Sequence, residues 1–295
     1  KSTFIKRFME QMVLPGITDE HQKNRTRDEL PQSAAGKTII TTEPKFVPKE
    51  AARIDLGEDT AVKVRLVDCV GFMTEGASGH MENEKERLVK TPWFEESIPF
   101  TMAAEIGTRK VIRDHSTIGL VITTDGSFGE LERQAYIKPE ETAVRELQEI
   151  GKPFLVLLNS SRPYSEETRN LARELETKYG VCVMPVNCEQ LKTGDIYQIL
   201  KQVLFEFPVT EVDFQIPKWL EILPASHWLK QQAVKAARNA MSHIRRMKDL
   251  KDSWKDEEAE AVSSMETGRM NLSDGKVTVR MLFEDGYYYQ ILSDF

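Results

Sequence analysis

The pattern of apolar and polar residues predicts that strands and helices alternate along the first two thirds of this chain. Apolar residues at helical spacing over residues 4–13 predict an amphipathic first helix. Segments 46–56 and 61–67 predict two strands of a β-hairpin around the turn Gly57-Glu58-Asp59-Thr60. Beyond residue 116 the pattern predicts strands 117–124, 154–159 and 181–186, and helices 139–150, 165–179 and 194–207.

This order of elements also predicts the layers of the fold. Strand and helix in turn indicate a mostly parallel sheet, because parallel strands need a crossover connection. Segments 154–158 and 181–184 are apolar without interruption, which is typical of strands covered on both faces. We therefore predict an α/β fold with helices on both faces of the sheet, and a ligand site beyond the carboxyl ends of its strands.

The last third of the chain predicts a different organisation. A single long helix over residues 225–262 is predicted from one apolar stripe with basic residues around it (Val234, Ala237, Met241, Ile244, Met247, Leu250 and Trp254). Such a helix can bind a membrane or a partner, or it can be a linker that buries its stripe between two domains. Strands 265–272 and 276–283 and a helix over residues 287–292 follow. The predicted domains are residues 1–215, a linker helix region over 216–262, and the start of an α+β domain over 263–295.

Composition narrows the class of protein. A chain of 295 residues that is 40% hydrophobic can bury a core in one or two domains. Its net charge of −7 argues against a nucleic-acid partner, and no apolar run reaches the ~18 residues of a transmembrane segment. The three cysteines lack Cys-x-x-Cys spacing, which favours reduced thiols in a cytoplasmic protein and argues against zinc.

One strand ends in a motif that points to phosphate chemistry. The run Val64-Arg65-Leu66-Val67-Asp68-Cys69-Val70-Gly71 is an apolar strand that ends in Asp-x-x-Gly. It resembles the third phosphate-site motif of P-loop nucleotidases, in which the carboxylate reaches the Mg²⁺ shell and the glycine lets a backbone N–H approach the γ-phosphate. Asp-x-x-Gly is also a common exit from a strand, so the interpretation needs support elsewhere.

The first residues of the chain supply that support. Lys1-Ser2-Thr3 begins the predicted first helix, as the end of the Walker A motif Gly-x-x-x-x-Gly-Lys-Ser/Thr does. In that motif the lysine pairs with phosphate oxygens, the next hydroxyl binds Mg²⁺, and the helix N-terminus adds partial positive charge. The chain lacks an initiator Met and the glycines of the motif, and we interpret it as a fragment cut on both sides.

Two segments are expected to respond to a bound nucleotide. Thr41 and Thr42 follow a polar stretch, at the place where a threonine of P-loop proteins reaches Mg²⁺ and the γ-phosphate. The pair can equally be two β-forming residues of a strand. Segment 72–90 is rich in charge and glycine and has no period, so we predict a second switch that is mobile without nucleotide or a partner.

The identity of the base is predicted from the end of strand 154–159. A GTPase would carry Asn-Lys-x-Asp there, whereas this chain has Asn159-Ser160-Ser161-Arg162. Guanine recognition needs a carboxylate that accepts two N–H groups, and Arg162 brings donors instead. We therefore expect GTP specificity to be lost, with ATP as the alternative nucleotide. Asn159 either shapes the base pocket or caps the end of the strand.

The hydrolytic step is expected to be slow. Phe72 occupies the position where Ras-like enzymes carry the glutamine that orients the attacking water. The basic cluster Arg109, Lys110 and Arg113 does not identify an arginine finger, because most such clusters are solvated helix faces.

Several longer runs resemble the stage IV sporulation protein A family, the morphogenetic ATPases of the bacterial spore coat. The resemblance extends to about residue 229, and more loosely to the end of the chain. It rests on Lys1-Ser2-Thr3-Phe4, Thr41-Thr42-Glu43-Pro44-Lys45-Phe46, Val67-Asp68-Cys69-Val70-Gly71, Thr91-Pro92-Trp93-Phe94, Ala104-Glu105-Ile106-Gly107-Thr108-Arg109-Lys110, Asp114-His115-Ser116-Thr117-Ile118-Gly119, Thr123-Thr124-Asp125-Gly126-Ser127, Leu157-Leu158-Asn159 and Pro163-Tyr164-Ser165-Glu166-Glu167.

The resemblance implies a P-loop NTPase of the Ras-like GTPase type that binds and hydrolyses ATP with Mg²⁺. It implies that Lys1 is the Walker A lysine, that Asp68 is the Walker B acid, and that Thr41 and Thr42 are sensor threonines. Ser2, Thr42 and Asp68 are the expected metal ligands. Lys1, Ser2, Thr3, Gly71 and Asn159 are expected to contact the nucleotide.

The same resemblance implies that hydrolysis drives self-assembly into a basement layer on the outer forespore membrane, in the mother-cell cytoplasm. The implied partners are further copies of the chain, a small amphipathic membrane-bound spore coat peptide and other coat morphogenetic proteins. Two alternatives stay open: a conventional GTPase switch, and a structural coat subunit that binds nucleotide without productive turnover.

Overall fold

The computed structural model describes residues 1–31, 45–57, 60–77, 81–82, 85–91, 93–251 and 261–294. The chain divides into two compact units. The first comprises Lys1–Ile54 and Val62–Val203, and the second comprises Asp55–Ala61 and Leu204–Phe295. Residues 204–215, which the sequence analysis assigns to the first domain, therefore lie in the second unit.

The first unit opens with helices and a hairpin. Helix α1 (Ser2–Phe8) continues through a π-helical turn (Met9–Val13) and a 3-10 turn (Leu14–Gly16), and helix α2 (Glu20–Asp28) follows. Strands β1 (Lys45–Asp55) and β2 (Ala61–Asp68) pair with each other, so the predicted hairpin is confirmed. The amphipathic first helix is confirmed too, since its apolar side chains are buried (Phe4, Ile5 and Phe8).

The stretch after the hairpin contains strands that the sequence analysis did not predict. Strands β3 (Met81–Glu82) and β4 (Lys85–Glu86) pair with each other, and β5 (Leu88–Thr91) pairs with β6 (Phe94–Pro99). The expectation of an irregular segment over residues 72–90 was therefore wrong in its second half. The physical reason is that β5 is formed by pairing with residues outside that window. Helix α3 (Phe100–Lys110) follows and ends in a π-helical turn (Val111–His115).

A parallel sheet forms the rest of the first unit, as predicted. Its strands are β7 (Gly119–Thr124), β8 (Phe154–Asn159) and β9 (Val183–Val186), in the order β7-β8-β9 with parallel pairing throughout. Helix α4 (Arg133–Glu149) connects the first two strands, α5 (Glu166–Tyr179) connects the last two, and α6 (Thr193–Phe205) follows.

Both faces of the central strand are buried, which confirms the expectation from its apolar run. Val156 and Leu158 pack in one hydrophobic cluster with side chains of α4 and α5 (Val144, Leu147, Ala172 and Leu175). Leu155 and Leu157 alternate with them along the strand and are fully buried as well. The carboxyl ends of β7 and β8 thus lie beside each other at one edge of a buried sheet.

A buried carboxylate joins α4 to this sheet. Glu140 is 4% exposed and accepts hydrogen bonds from Tyr179 Oη at 2.6 Å, from Arg133 Nη2 at 2.9 Å and from the Thr123 hydroxyl. Burial alone would raise the pKa of Glu140, but the hydrogen bonds from Arg133, Thr123 and Tyr179 outweigh it and lower the pKa below its ordinary value. Burial, and next the hydrogen bond with Glu140, raise the pKa of Tyr179.

Replacement of Glu140 is expected to destabilise the first unit. Glu140→Gln leaves the Arg133 guanidinium without its carboxylate in a largely buried place, at a cost of about 3 kcal/mol in the free energy of unfolding. The matched control is Glu141→Gln, which removes only an exposed pair with Lys178 and should cost less than about 1 kcal/mol. Urea denaturation of both variants measures the two values, and equal costs would contradict the prediction.

The loss of stability caused by Glu140→Gln should depend on pH, and the pKa of Glu140 gives the direction. Because the folded pKa of Glu140 is lowered, the ionised carboxylate stabilises the fold above its unfolded pKa, and that contribution is lost as the pH falls through the folded pKa. The difference in the free energy of unfolding between wild type and Glu140→Gln should therefore be largest at neutral pH and should decrease in acid. A difference that increases in acid would contradict this account.

The second unit is an α+β arrangement. It contains strand β10 (Glu211–Gln215), helices α7 (Lys218–Glu221) and α8 (Trp228–His243), a 3-10 turn (Met247–Lys251), strands β11 (Val262–Asn271) and β12 (Lys276–Phe283), and helix α9 (Asp285–Asp294). The sheet order is β10-β12-β11, with β10 parallel and β11 antiparallel to β12. The hairpin of β11 and β12 and the helix after it confirm the sequence prediction, whereas β10 had not been predicted.

The expectation of one long helix over residues 225–262 was wrong. Helix α8 ends at His243, and Ile244 is extended. The chain turns there because the Asp249 carboxylate accepts hydrogen bonds from the backbone N–H groups of Arg245 and Arg246 at 3.0 and 2.8 Å. The buried face of α8 consists of small and apolar residues other than the predicted Val234 and Met241 (Leu229, Ala233, Ala236 and Ala240).

Two of the basic residues near the predicted stripe have partners inside the second unit. Glu206 is 1% exposed and lies 2.8 Å from Arg246 Nη1 and 3.0 Å from Lys248 Nζ. Ile244, Met247 and Leu250 are buried in the core of this unit. These contacts favour the interpretation that Ile244, Met247 and Leu250 pack inside the protein, whereas Val234 and Met241 of the same predicted stripe are exposed.

Candidate functional site

The two segments predicted to hold phosphate lie side by side. Ser2 Oγ donates a hydrogen bond to Asp68 Oδ2 at 3.1 Å across 66 residues of sequence. Lys1 Nζ donates to the backbone oxygens of Cys69, at 2.8 Å, and Val70. The end of β2 and the start of α1 therefore bring together an ammonium group, a hydroxyl and a carboxylate.

Gly71 is constrained from both sides of its backbone. Its φ of +88° lies in the region that favours glycine, and a Cβ at this position would collide with Lys1 Nζ. Its N–H donates to Thr108 Oγ1 of α3 at 3.0 Å. No other residue type fits this place without moving the lysine, and the predicted approach of the Gly71 N–H to a γ-phosphate stays a prediction.

The pair Ser2 and Asp68 fits one part of a Mg²⁺ site. Their oxygens are 3.1 Å apart, close to the separation of adjacent ligands around an octahedral ion with bonds of ~2.1 Å. Within the described ranges, no group of three or more His, Cys, Asp or Glu side chains is arranged to hold a metal ion. An ion between Ser2 and Asp68 would therefore take further oxygen ligands from phosphate and water.

The predicted roles of Thr3, Thr41 and Thr42 are not tested by the contacts that the structure describes. Thr3 lies on the first turn of α1 with a partly buried side chain. Thr41 and Thr42 fall outside the described residues. Their predicted role as sensors of the γ-phosphate, and that of Thr42 as a metal ligand, stay predictions.

Asn159 lies at the end of β8 and ties it to the loop after β9. Its side-chain oxygen accepts a hydrogen bond from Cys188 N at 2.8 Å, and its backbone oxygen accepts one from Asp125 N at 3.3 Å. Burial raises the pKa of the Cys188 thiol to about 11, so this cysteine is protonated at neutral pH. These contacts match the interpretation of Asn159 as a strand-end residue, and its predicted contact with the nucleotide stays a prediction.

A polar network fixes the neighbouring loop, where the base is expected. Asp125 Oδ1 accepts hydrogen bonds from Ser127 N at 2.9 Å and Ser127 Oγ at 2.6 Å, and Ser127 Oγ accepts one from Ser161 N at 2.8 Å. Burial favours a raised pKa for Asp125, but hydrogen bonds with Ser127 and Ser160 outweigh it and lower the pKa. The loop that carries the exposed Arg162 is thus anchored by an ionised carboxylate one strand away.

The basic cluster on α3 has structural partners. Arg109 Nε lies 2.8 Å from Glu146 Oε1, and Arg113 Nη2 lies 3.6 Å from Glu146 Oε2. Lys110 Nζ lies 5.8 Å from the centre of the Trp93 ring. Arg109 and Arg113 therefore join α3 and its π-helical end to α4, which gives no support to a role as arginine finger.

Sequence reasoning missed Thr108 as a member of this site. No local pattern distinguishes it, because a threonine inside a helix is an ordinary occurrence and its partner lies 37 residues earlier in the chain. The contact between α3 and the Asp-x-x-Gly loop emerges only in the folded structure.

The first unit combines a parallel sheet with a helix-start lysine and hydroxyl that face the carboxylate at the end of β2, which pairs with β1 in a separate sheet, and it fits an α/β nucleotide-binding fold. Residues 1–208 match the family model described as "Stage IV sporulation protein A, ATPase domain", and residues 209–295 match the model for its middle domain. The chain therefore belongs to the stage IV sporulation protein A family and carries its ATPase domain.

Curated relatives agree with this assignment. Over all 295 residues the chain is 45% identical to stage IV sporulation protein A of Bacillus anthracis, 44% to that of Bacillus subtilis (strain 168) and 43% to that of Clostridioides difficile (strain 630). It spans 60% of the length of each of them. No solved structure matches the chain. In the part of the chain that the structure describes, no helix has the length and apolar character to cross a membrane.

Proposed function

We propose that this protein binds ATP and Mg²⁺ at the site formed by Lys1, Ser2, Asp68 and Gly71, hydrolyses ATP slowly, and couples hydrolysis to its own assembly into the basement layer of the spore coat. The observation that supports the chemistry best is the 3.1 Å contact between Ser2 Oγ and Asp68 Oδ2 beside the Lys1 ammonium group. This contact supports a P-loop, Ras-like site, in which a lysine and a hydroxyl at the start of a helix face an acid at the end of a strand.

Each residue has a distinct role in this proposal. Lys1 transfers its hydrogen bonds from the backbone oxygens of Cys69 and Val70 to β- and γ-phosphate oxygens, where a charge-assisted contact is stronger. Ser2 and Asp68 hold the Mg²⁺ ion, which when bound offsets the charge on the phosphates. The Gly71 N–H donates to the γ-phosphate.

The nucleotide preference is proposed from the loop after β8. Arg162 replaces the carboxylate that a guanine would need, and it is exposed beside the anchored residues Ser160 and Ser161. ATP is therefore favoured over GTP. Phe72 offers no group that could orient water, so hydrolysis by the isolated subunit is proposed to be slow, and a neighbouring copy in an assembly can supply the missing group.

The cellular role is proposed from the relatives and from the family resemblance. The named relatives are stage IV sporulation proteins, and the chain spans three fifths of their length. We place this protein in the mother-cell cytoplasm, peripheral to the outer forespore membrane. Its proposed partners are further copies of itself, a small amphipathic membrane-bound peptide and other coat morphogenetic proteins.

Sedimentation tests this proposal, with the protein produced at the full length that its relatives have. With ATP, we expect assemblies that pellet, whereas GTP and a non-hydrolysable ATP analogue should leave most protein in the supernatant. Assembly driven by GTP instead would favour a GTPase switch. Equal assembly with the non-hydrolysable analogue would favour a structural subunit that binds nucleotide without turnover.

A further inference from the structure

The backbone N–H that the proposed site needs for a γ-phosphate is already engaged by another residue. Gly71 N donates to Thr108 Oγ1 at 3.0 Å, and Thr108 is only 4% exposed. We propose that Thr108 sets the preference between triphosphate and diphosphate, because its hydroxyl competes with the γ-phosphate for the Gly71 N–H. This inference rests on the proposed function and adds a residue to it.

The hydroxyl of Thr108 accepts a hydrogen bond from a distant backbone N–H, whereas three other helix threonines bond within their own helix. Thr26, Thr142 and Thr177 each donate their hydroxyl to the carbonyl four residues earlier, at 2.9 Å, which is the usual way for a threonine inside a helix. Thr108 Oγ1 accepts a hydrogen bond from Gly71 N, in a loop 37 residues earlier in the chain. A backbone N–H has one proton, so the Thr108 oxygen and a phosphate oxygen cannot both hold it at full strength.

Helix α3 keeps this acceptor in place. Phe100, Ala103 and Ala104 of the same helix are no more than 1% exposed, and Thr108 itself is buried. The hydroxyl is therefore part of a packed layer, whereas Gly71 belongs to a segment without regular structure. Release of the N–H requires the Gly71 backbone to move away from α3.

Lys1 also binds the loop that contains Gly71, and its contacts explain why Thr108 affects the binding of a triphosphate and not that of a diphosphate. Lys1 Nζ binds the oxygens of Cys69 and Val70, directly before Gly71. A diphosphate needs only the lysine to change partners, since its β-phosphate does not reach toward Gly71 in the proposed site. A triphosphate needs the Gly71 N–H as well. Thr108 therefore opposes the γ-phosphate and leaves diphosphate binding unaffected.

The experiment compares two affinities in the protein at the length of its relatives. Calorimetry measures Kd for ADP and for a non-hydrolysable ATP analogue, both with Mg²⁺, in wild type, Thr108→Val and Thr108→Ser. Thr108→Val should bind the triphosphate analogue roughly three- to tenfold more tightly, with ADP affinity unchanged, because one competing hydrogen bond is removed. Thr108→Ser keeps the hydroxyl and should resemble wild type.

A matched control is Thr26→Val, which removes another buried hydroxyl from a helix of the first unit and should leave both affinities unchanged. Thr108→Ala provides a second test if the valine variant does not fold. An unchanged or weakened preference for the triphosphate in Thr108→Val, or in Thr108→Ala, would overturn this inference alone. Wild-type protein that binds neither nucleotide would overturn the proposed function and this inference with it.

Discussion

Lys1→Ala is expected to weaken ATP binding by roughly 100-fold, because a charge-assisted hydrogen bond is worth up to about 3 kcal/mol and this lysine supplies the principal cation of the proposed site. The matched control is Lys6→Ala, which removes an exposed lysine from the same helix. Equilibrium binding of a fluorescent ATP analogue to the protein at the length of its relatives gives both affinities.

The same variant also tests whether assembly depends on the nucleotide. Lys1→Ala protein should stay in the supernatant at ATP concentrations that drive wild-type protein and Lys6→Ala protein into assemblies. Lys1→Ala protein that binds ATP as tightly as the Lys6→Ala control would contradict the role of Lys1. Lys1→Ala protein that assembles normally without binding ATP would favour a structural subunit.

Asp68→Asn is expected to lower the rate of ATP hydrolysis by about 10²- to 10³-fold, the size of effect that follows the loss of one preorganised charge-stabilising group. The hydroxyl of Ser2 keeps a partner of similar shape in this variant, so the local fold should survive. ATP binding should fall less than hydrolysis does, because the Lys1 contact remains. Phosphate release at saturating ATP, measured over a range of Mg²⁺ concentrations, separates the two effects.

The control for Asp68→Asn is Asp213→Asn, which neutralises an exposed carboxylate on β10. It should leave the hydrolysis rate unchanged. An Asp68→Asn protein with the wild-type rate and the wild-type Mg²⁺ requirement would contradict the assignment of Asp68 as a metal ligand.

The sequence predicted well those helices and strands whose ends are set by residues close to them in the chain. The strand Phe154–Asn159 is confirmed to the residue, because five consecutive apolar side chains lie between Pro153 and the polar Asn159. Helix α5 begins after Ser165, whose hydroxyl accepts from Thr168 N at 3.3 Å, and ends at Tyr179, directly before Gly180, whose φ is +66°. A cap and a left-handed glycine of this kind can be read directly from the sequence.

Elements defined by distant partners were not predictable in the same way. Strand β10 pairs in register with β12, Glu211 opposite Lys276, and no local pattern encodes a partner 65 residues away. Helix α8 ends early because Asp249 binds the N–H groups of Arg245 and Arg246, which interrupts a helical periodicity that otherwise continues. In both cases tertiary contacts override the local pattern.

The candidate site shows the same division. The residue types of Lys1, Ser2, Asp68 and Gly71 identify the phosphate chemistry, since each belongs to a motif with a physical reason for its spacing. The hydrogen bond from Gly71 to Thr108 and the anchoring of the loop at Ser161 by Ser127 depend on packing between elements that are distant in sequence. Sequence reasoning therefore selected residues that the fold brings together, and it left their supporting contacts unknown.

A crystal structure of the protein at the length of its relatives, with Mg²⁺ and a non-hydrolysable ATP analogue, tests the central claim most directly. We predict one Mg²⁺ ion bound by Ser2 Oγ and linked to the Asp68 carboxylate, with Lys1 Nζ transferred from the backbone oxygens of Cys69 and Val70 to the β- and γ-phosphates. A nucleotide bound elsewhere, with Ser2 still hydrogen-bonded to Asp68 and Lys1 still on those oxygens, would contradict the account.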